Sequence, residues 1–135
     1  MSDLLPDLLF VYGSLLARIA HPQGERLRRE STLVGPATLQ ARLYRVSWYP
    51  GVALSGDPRD LVHGEIYRLG QPTLAWLDEY EGVTAGASSV APAEEYARRR
   101  CQVRDGAGAA HEAWVYLYQR DPVGLAHVAS GRWVG

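Results

Sequence analysis

Short apolar runs separated by turn residues dominate the first half of this chain and predict a fold built mainly of strands. Leu8–Tyr12 is continuously apolar and ends at Gly13-Ser14, which predicts a buried strand followed by a turn. Apolar and polar residues from Ser31 to Val46 mix at a period of roughly two, which favours one or two further strands. Tyr49-Pro50-Gly51 is typical of a turn, and Val52–Leu54 follows it as a short strand.

The second half of the chain continues the same pattern. Leu61–Leu69 predicts a strand, whereas the small residues at 83–93 predict a loop. The two clearest strands are Tyr96–Val103 and His111–Tyr118, joined across Asp105-Gly106 as a hairpin.

One helix is predicted between these groups of strands. Pro72 is suited to its first turn, where the missing N–H of proline costs nothing, and Gly82 is suited to its C-terminal stop. The helix then runs through Leu74 and Leu77 to about Glu81. Residues 15–30 are polar and arginine-rich, with a helical tendency near residues 26–29, and we expect them to be exposed.

These elements predict a single α+β domain over residues 1–135. Six to seven short strands around one main helix favour a compact domain with a curved or barrel-like mixed sheet. A chain of 135 residues is long enough to bury its own core. No repeat, linker or second domain interrupts the pattern.

Composition narrows the classes of function. The net charge of −1 argues against nucleic acid or an anionic membrane as the main partner. One cysteine, Cys101, excludes an internal disulfide, a CxxC pair and a cysteine-based zinc site. All 14 basic residues are arginine, so lysine Schiff-base chemistry and a P-loop are excluded. No apolar run reaches the ~20 residues of a membrane span, and the N-terminus lacks the basic start of a signal peptide. We therefore expect a cytoplasmic protein.

The predicted helix carries a candidate acid/base. Leu74, Leu77, Asp78 and Glu81 share one helix face, and the two leucines should turn that face inward. Burial, the nearby carboxylates and the helix C-terminus would each raise the pKa of Glu81. A carboxyl group tuned in this way can accept and donate a proton near neutral pH. The same spacing also suits a Glu81 that flanks the helix end and reaches water.

Two further features suit a small-molecule pocket. The glycine of the Tyr12–Leu15 loop lets the backbone approach a ligand, and its N–H groups could hold a carboxylate or an oxyanion, although Gly-Ser after a strand is also an ordinary turn. Alternation places Trp114, Tyr116 and Tyr118 on one face of their strand. An aromatic face of this kind belongs either to a pocket or to a core. The histidines have no metal-ligand spacing.

The ordered motifs resemble those of the gamma-glutamylcyclotransferase-like family. They are Val11-Tyr12-Gly13-Ser14-Leu15, Val62-His63-Gly64-Glu65-Ile66-Tyr67, Leu77-Asp78-Glu79-Tyr80-Glu81-Gly82, Tyr96-Ala97-Arg98 and Ala113-Trp114-Val115-Tyr116. The resemblance covers the chain from Phe10 to Trp133. It implies a compact mixed fold with a cavity, a small-molecule gamma-glutamyl substrate, and no metal or cofactor.

The resemblance also implies roles for individual residues. Tyr12, Gly13, Ser14 and Leu15 would hold the gamma-glutamyl group, and Glu81 would be the catalytic acid/base. Tyr96 and Tyr116 would line the cavity. The reaction would be attack of the substrate's own α-amine on its γ-carbonyl, giving 5-oxoproline and a free amine or amino acid.

Other interpretations stay open from the sequence. The alanine-rich loop from Val83 to Glu94 can alter the rim of the cavity, and the substrate is not fixed by the motifs. A non-catalytic module that binds a small metabolite is the first alternative, and a hydrolase with Ser14 as nucleophile is the second. Glu65 is the alternate carboxylate, and we expect it to be structural, hydrogen-bonded to backbone or to an arginine.

Overall fold

The computed structural model describes residues 7–13, 22–47, 49–70, 73, 76–77 and 96–133. Thr73, Trp76 and Leu77 have helical backbone, and the other residues of the helix predicted over 72–81 lie outside the described part. The complete elements are β1 (Leu8–Val11), α1 (Pro22–Glu30), β2 (Thr32–Arg45), β3 (Pro50–Leu54), β4 (Leu61–Arg68), β5 (Tyr96–Asp105), β6 (Ala110–Tyr118) and β7 (Ala126–His127).

The strands form a closed, mixed sheet. Their order is β3-β2-β4-β1-β6-β5, and β5 pairs again with β2, so that five strands make a ring. The pairing of β1 with β6 is parallel, and the other pairings are antiparallel. The predicted α+β class with a barrel-like mixed sheet is therefore confirmed. Within the described part of the chain, no helix is long and apolar enough to cross a membrane.

Strand β2 pairs with four other strands, β3, β4, β5 and β7, and its pairing with β5 closes the ring. Its first part, from Thr32 to Gln40, pairs with β4, and its last part, from Ala41 to Arg45, pairs with β3. Between them Ala37 and Thr38 also pair with β5. A β-bulge near Gly35, whose φ is 150°, shifts the register at the start of the strand. Such bulges increase the local twist that a closed sheet requires.

Two hydrophobic clusters lie on opposite faces of the barrel wall. The interior cluster is mostly aliphatic and includes Leu39, Leu43, Val62, Val103 and Val115. The second cluster is rich in aromatic rings and packs the outer wall against helical residues; its buried members are Leu9, Val11, Leu27, Tyr67, Leu77, Tyr96 and Tyr116. We call these the interior cluster and the outer cluster. The alternation predicted for β6 is confirmed, since Ala113, Val115 and Leu117 face inward.

Two sequence expectations are corrected by the structure. Pro50 and Gly51 begin β3 rather than forming a turn, which an edge strand tolerates because its first residue needs no N–H donor. The arginine-rich segment is helical from Pro22 to Glu30 and is not wholly exposed, because Leu27 is fully buried in the outer cluster. The prediction of one or two strands between Ser31 and Val46 is confirmed, with one strand of 14 residues.

Candidate active site

The end of β1 and the start of β3 approach each other at Gly13 and Pro50. A Cβ atom on Gly13 would lie 2.9 Å from Cγ and 3.2 Å from Cδ of Pro50, so no larger residue fits without a shift. Gly51 lies equally close to its neighbour, because a Cβ there would be 2.9 Å from Cβ of Tyr118. The glycine of the loop motif is thus required by packing against β3, in addition to any contact with a ligand.

Tyr96 holds the start of β3 from the other side. Its ring is 5% exposed, and its hydroxyl donates a hydrogen bond of 2.5 Å to the carbonyl oxygen of Pro50. The rings of Tyr118 and Tyr49 surround it, with centroids 5.8 Å and 6.4 Å away. Pro50 is therefore fixed between the loop after β1 and the first residue of β5.

Tyr12 anchors the loop to β6. Its ring lies in the interior cluster beside Phe10, at a centroid distance of 6.4 Å. Its hydroxyl donates a hydrogen bond of 2.5 Å to the backbone oxygen of Tyr116. The ring of Tyr116 lies on the opposite face of the wall, in the outer cluster. The end of β1 is thus held to the strand that carries the predicted aromatic face.

The helical residues near the Leu-Asp-Glu-Tyr-Glu-Gly motif pack on this same region. Leu77 is fully buried and shares the outer cluster with Tyr96 and Tyr116. Its predicted inward orientation is confirmed. Glu81, Ser14 and Leu15 lie outside the described residues. Their site roles stay predictions, as do those of Tyr12, Gly13, Tyr96 and Tyr116. The structure does bring together Tyr12, Gly13, Tyr96, Tyr116 and Leu77.

A carboxylate of α1 contacts the start of this helical segment. Oε1 of Glu30 accepts hydrogen bonds from Nε1 of Trp76 at 2.7 Å and from the hydroxyl of Thr73 at 3.1 Å. Oε2 of Glu30 accepts from Nε of Arg26 at 2.9 Å. These bonds, led by the indole of Trp76, hold the pKa of Glu30 below its ordinary value.

Glu65 lies on β4, where it pairs with Val11, the last residue of β1. It lines a cleft of about 340 Å³ where β2, β4 and β5 meet. The hydroxyl of Tyr67 donates to its Oε1 at 3.4 Å, so a tyrosine contacts this carboxylate. Burial, with a contribution from Arg132, lowers the pKa of His63 in the same cleft. Across the described residues, no cluster of three or more His, Cys, Asp or Glu side chains could hold a metal ion.

Sequence reasoning did not identify Pro50 or Glu30 as parts of this region. Tyr49-Pro50-Gly51 predicts a turn, but a proline also suits the first residue of an edge strand, as in β3. One feature of the sequence does point to Glu30. It is an acidic residue at the end of a helix, after two arginines, where the helix dipole disfavours negative charge.

The protein family follows from the match to known sequences. A family model for gamma-glutamyl cyclotransferases of the AIG2-like kind matches residues 9–135. The chain belongs to this family. The gamma-glutamylcyclotransferase family protein YtfP of Escherichia coli K12 is 38% identical over 128 residues, which is 93% of this chain and 95% of YtfP. A gamma-L-glutamyl-butirosin B gamma-glutamyl cyclotransferase of Niallia circulans is 31% identical over 114 residues, covering 84% and 67% of the two chains.

Solved structures agree with this membership. The solution structure of YtfP from Escherichia coli superposes with a TM-score of 0.63 at 34% identity, over 94% of this chain and 96% of the other. The crystal structure of an AIG2-like mouse protein gives a TM-score of 0.69 over 93% and 87% of the two chains. Its identity is 19%, so this second likeness shows the fold alone.

Proposed function

We propose that this protein is a gamma-glutamyl cyclotransferase that converts a gamma-glutamyl amide into 5-oxoproline and a free amine. The observation that carries the proposal is the packing of Leu77 with Tyr96 and Tyr116 beside the end of β1. This packing brings three of the family's motifs to one place on the barrel wall. Membership of the family, and 31% identity to an enzyme that acts on gamma-L-glutamyl-butirosin B, support the same reaction class.

The reaction needs only restraint of the substrate and movement of protons. The α-amine of the gamma-glutamyl group attacks its own γ-carbonyl carbon and forms the new C–N bond of a five-membered ring. The original amide C–N bond then breaks, and the proton lost by the attacking amine is delivered to the departing amine. Because the nucleophile is already part of the substrate, fixing its conformation supplies much of the acceleration.

We assign these tasks to the residues of the family motifs. Backbone N–H groups in the loop from Tyr12 to Leu15 would hold the gamma-glutamyl group and stabilise the oxyanion. Glu81, four residues after the buried Leu77, would take the proton from the attacking amine and return it to the leaving amine. Tyr96 and Tyr116 would line the cavity, with Tyr96 also holding β3 through Pro50.

The identity of the product tests this proposal. Purified protein is incubated with gamma-glutamyl-alanine and with its N-acetylated derivative, and 5-oxoproline, glutamate and alanine are measured by mass spectrometry. A cyclotransferase releases 5-oxoproline and alanine from the free amine and does not act on the acetylated compound, whose nitrogen cannot attack. Because the substrate class is broader than one compound, gamma-glutamyl amines are screened in parallel with the same acetylated controls.

Two other outcomes would overturn the proposal. Release of free glutamate from the first compound, with cleavage of the acetylated one, would indicate a hydrolase using a nucleophile such as Ser14. Saturable binding of gamma-glutamyl compounds without any release of amine would indicate a non-catalytic binding module on the same fold.

A further inference from the structure

The negative charge of Glu30 is unfavourable at its position in α1. It is the last residue of α1, where the helix dipole presents partial negative charge and favours cations. Arg28 and Arg29 in the same turn follow this preference, but Glu30 does not. Its helical partner is Arg26, four residues earlier, which is the less favourable order for a charged pair. A carboxylate placed against local preference indicates a compensating contact elsewhere.

The compensating contacts lie on the helical segment after β4. Both Thr73 and Trp76 donate to Oε1 of Glu30, and these residues are three apart, so they share one helix face. The guanidinium of Arg26 lies 4.3 Å from the ring centroid of Trp76 while its Nε bonds Glu30. Each of the three residues Arg26, Glu30 and Trp76 therefore contacts the other two. We call these three residues, together with Thr73, the Glu30 clamp.

The backbone before this segment rests directly on the end of α1. A Cβ atom on Gly70 would overlap the carbonyl oxygen of Glu30, so the chain passes there at the closest distance that glycine allows. The backbone N–H of Thr73 donates to the carbonyl of Gly70 at 3.1 Å. Thr73 itself is fully buried, which leaves its hydroxyl no access to bulk water. Loss of the Glu30 acceptor would leave a buried donor unsatisfied.

We propose that Glu30 is a positioning residue for the segment that carries Glu81, an inference that rests on the proposed function. The Glu30 clamp holds this segment at Thr73 and Trp76, and Leu77 packs on Tyr96 and Tyr116. Contacts at both places fix the rotation of the segment about its own axis. In the proposed function, this orientation bears on whether Glu81, four residues beyond Leu77 in the sequence, meets the substrate.

Two substitutions and a matched control test the role of Glu30. Glu30→Gln removes the charge and weakens the bonds to Trp76 and Arg26, and Thr73→Val removes one donor at nearly constant volume. Asp105→Asn is the control, because Asp105 also accepts three hydrogen bonds, from His111 and from the backbone of Ala107 and Ala109, in a distant hairpin. Its loss should lower the melting temperature without changing kcat.

We expect kcat of Glu30→Gln to fall about tenfold, with KM little changed. This loss is smaller than the ~10²-fold loss in rate that a displacement of 1 Å can cause. Thr73→Val should lose less. Hydrogen exchange of peptides spanning Trp76 and Leu77 should quicken in Glu30→Gln, while exchange in β5 and β6 stays as in wild type. Both measurements are made well below the melting temperature, so that unfolded protein does not contribute.

Two results would overturn the positioning role. One is that Glu30→Gln and Thr73→Val have the same kcat as Asp105→Asn, while Glu81→Gln is inactive. The other is unchanged exchange at Trp76 and Leu77 in Glu30→Gln. Failure of the proposed function is distinct, because wild-type protein would then release no 5-oxoproline, and the exchange measurement alone would decide whether Glu30 holds this segment.

Discussion

The two faces of the barrel wall carry different kinds of side chain. We expect the inward face to determine the stability of the fold and the outward face to shape the candidate site. The interior cluster is filled by aliphatic side chains such as Leu39, Val62 and Val115, which offer no polar atoms. The outer cluster is rich in tyrosine, and Tyr96 there uses its hydroxyl to fix a backbone carbonyl. The same strands thus present a packed core inward and a hydrogen-bonding surface outward.

This division would let one small barrel hold the proposed site without opening its core. Tyr12 is the exception that links the two faces, since its ring packs inside and its hydroxyl reaches the backbone of Tyr116. Substitutions inside the barrel should therefore lower stability, and substitutions in the outer cluster and its loop should lower turnover. The following predictions test that division, from the largest expected effect to the smallest.

The interior should respond most strongly to truncation. Leu39 is 2% exposed, and Leu39→Ala removes a buried side chain that the closed ring cannot refill. We expect a loss of about 2–5 kcal/mol in the free energy of unfolding, measured by urea denaturation. Turnover per folded molecule should stay near wild type. A large fall in kcat at full folding would show that the interior also shapes the site.

The loop after β1 should respond in turnover as well as in stability. Gly13→Ala forces a Cβ atom to 2.9 Å from Pro50, so either the loop or β3 must move. We expect a stability loss of about 1–3 kcal/mol from overpacking and a fall in kcat of up to ~10²-fold. Gly56→Ala is the matched control, because a Cβ there meets nothing within 4 Å. Equal behaviour of the two variants would contradict the contact with Pro50.

Removing single hydroxyl groups should have modest effects. Tyr96→Phe loses the hydrogen bond to Pro50, and we expect it to lower stability by about 0.5–1.5 kcal/mol and to weaken catalysis modestly. Tyr116→Phe should also weaken catalysis while leaving the fold intact. Thermal melts and steady-state kinetics on both variants check this. Unfolding of Tyr116→Phe would remove its proposed role in lining the cavity.

His63, which lies outside both clusters, should make the stability of the protein depend slightly on pH. Burial and Arg132 lower its pKa in the folded state, so the unfolded chain takes up a proton at a pH where the folded protein does not. Stability should therefore rise with pH through the interval between the folded pKa and the ordinary value of about 6.5, and level off above it. His63→Gln should flatten this part of the profile. An unchanged profile would show that His63 is not the source.

Most strands of this fold were predictable because their signals are local. Alternation along β6 separates Val115 from Tyr116 without knowledge of any partner. Leu77 was predictable for the same reason, through its spacing within a helix. Local periodicity therefore sufficed for the faces of β6 and for the burial of Leu77.

Contacts between distant segments were not predictable in this way. Glu30 meets Thr73 and Trp76 across 43 and 46 residues, and no periodic pattern in either segment points to the other. Pro50 meets Gly13 and Tyr96 only because the sheet closes. Leu27 is buried although its neighbours are charged, because one apolar position is enough to seat a short helix on the outer cluster.

The most direct test of the account compares two glutamates. Glu81→Gln keeps the shape of the side chain but cannot exchange a proton, so turnover to 5-oxoproline should fall by ~10²–10⁴ or more. Its melting temperature should hold or rise slightly. Glu65→Gln, at the alternate carboxylate in the cleft, should keep most of its activity. A Glu81→Gln enzyme that retains more than about a tenth of wild-type turnover, against that ~10²-fold minimum, would contradict the assignment of Glu81 as the acid/base.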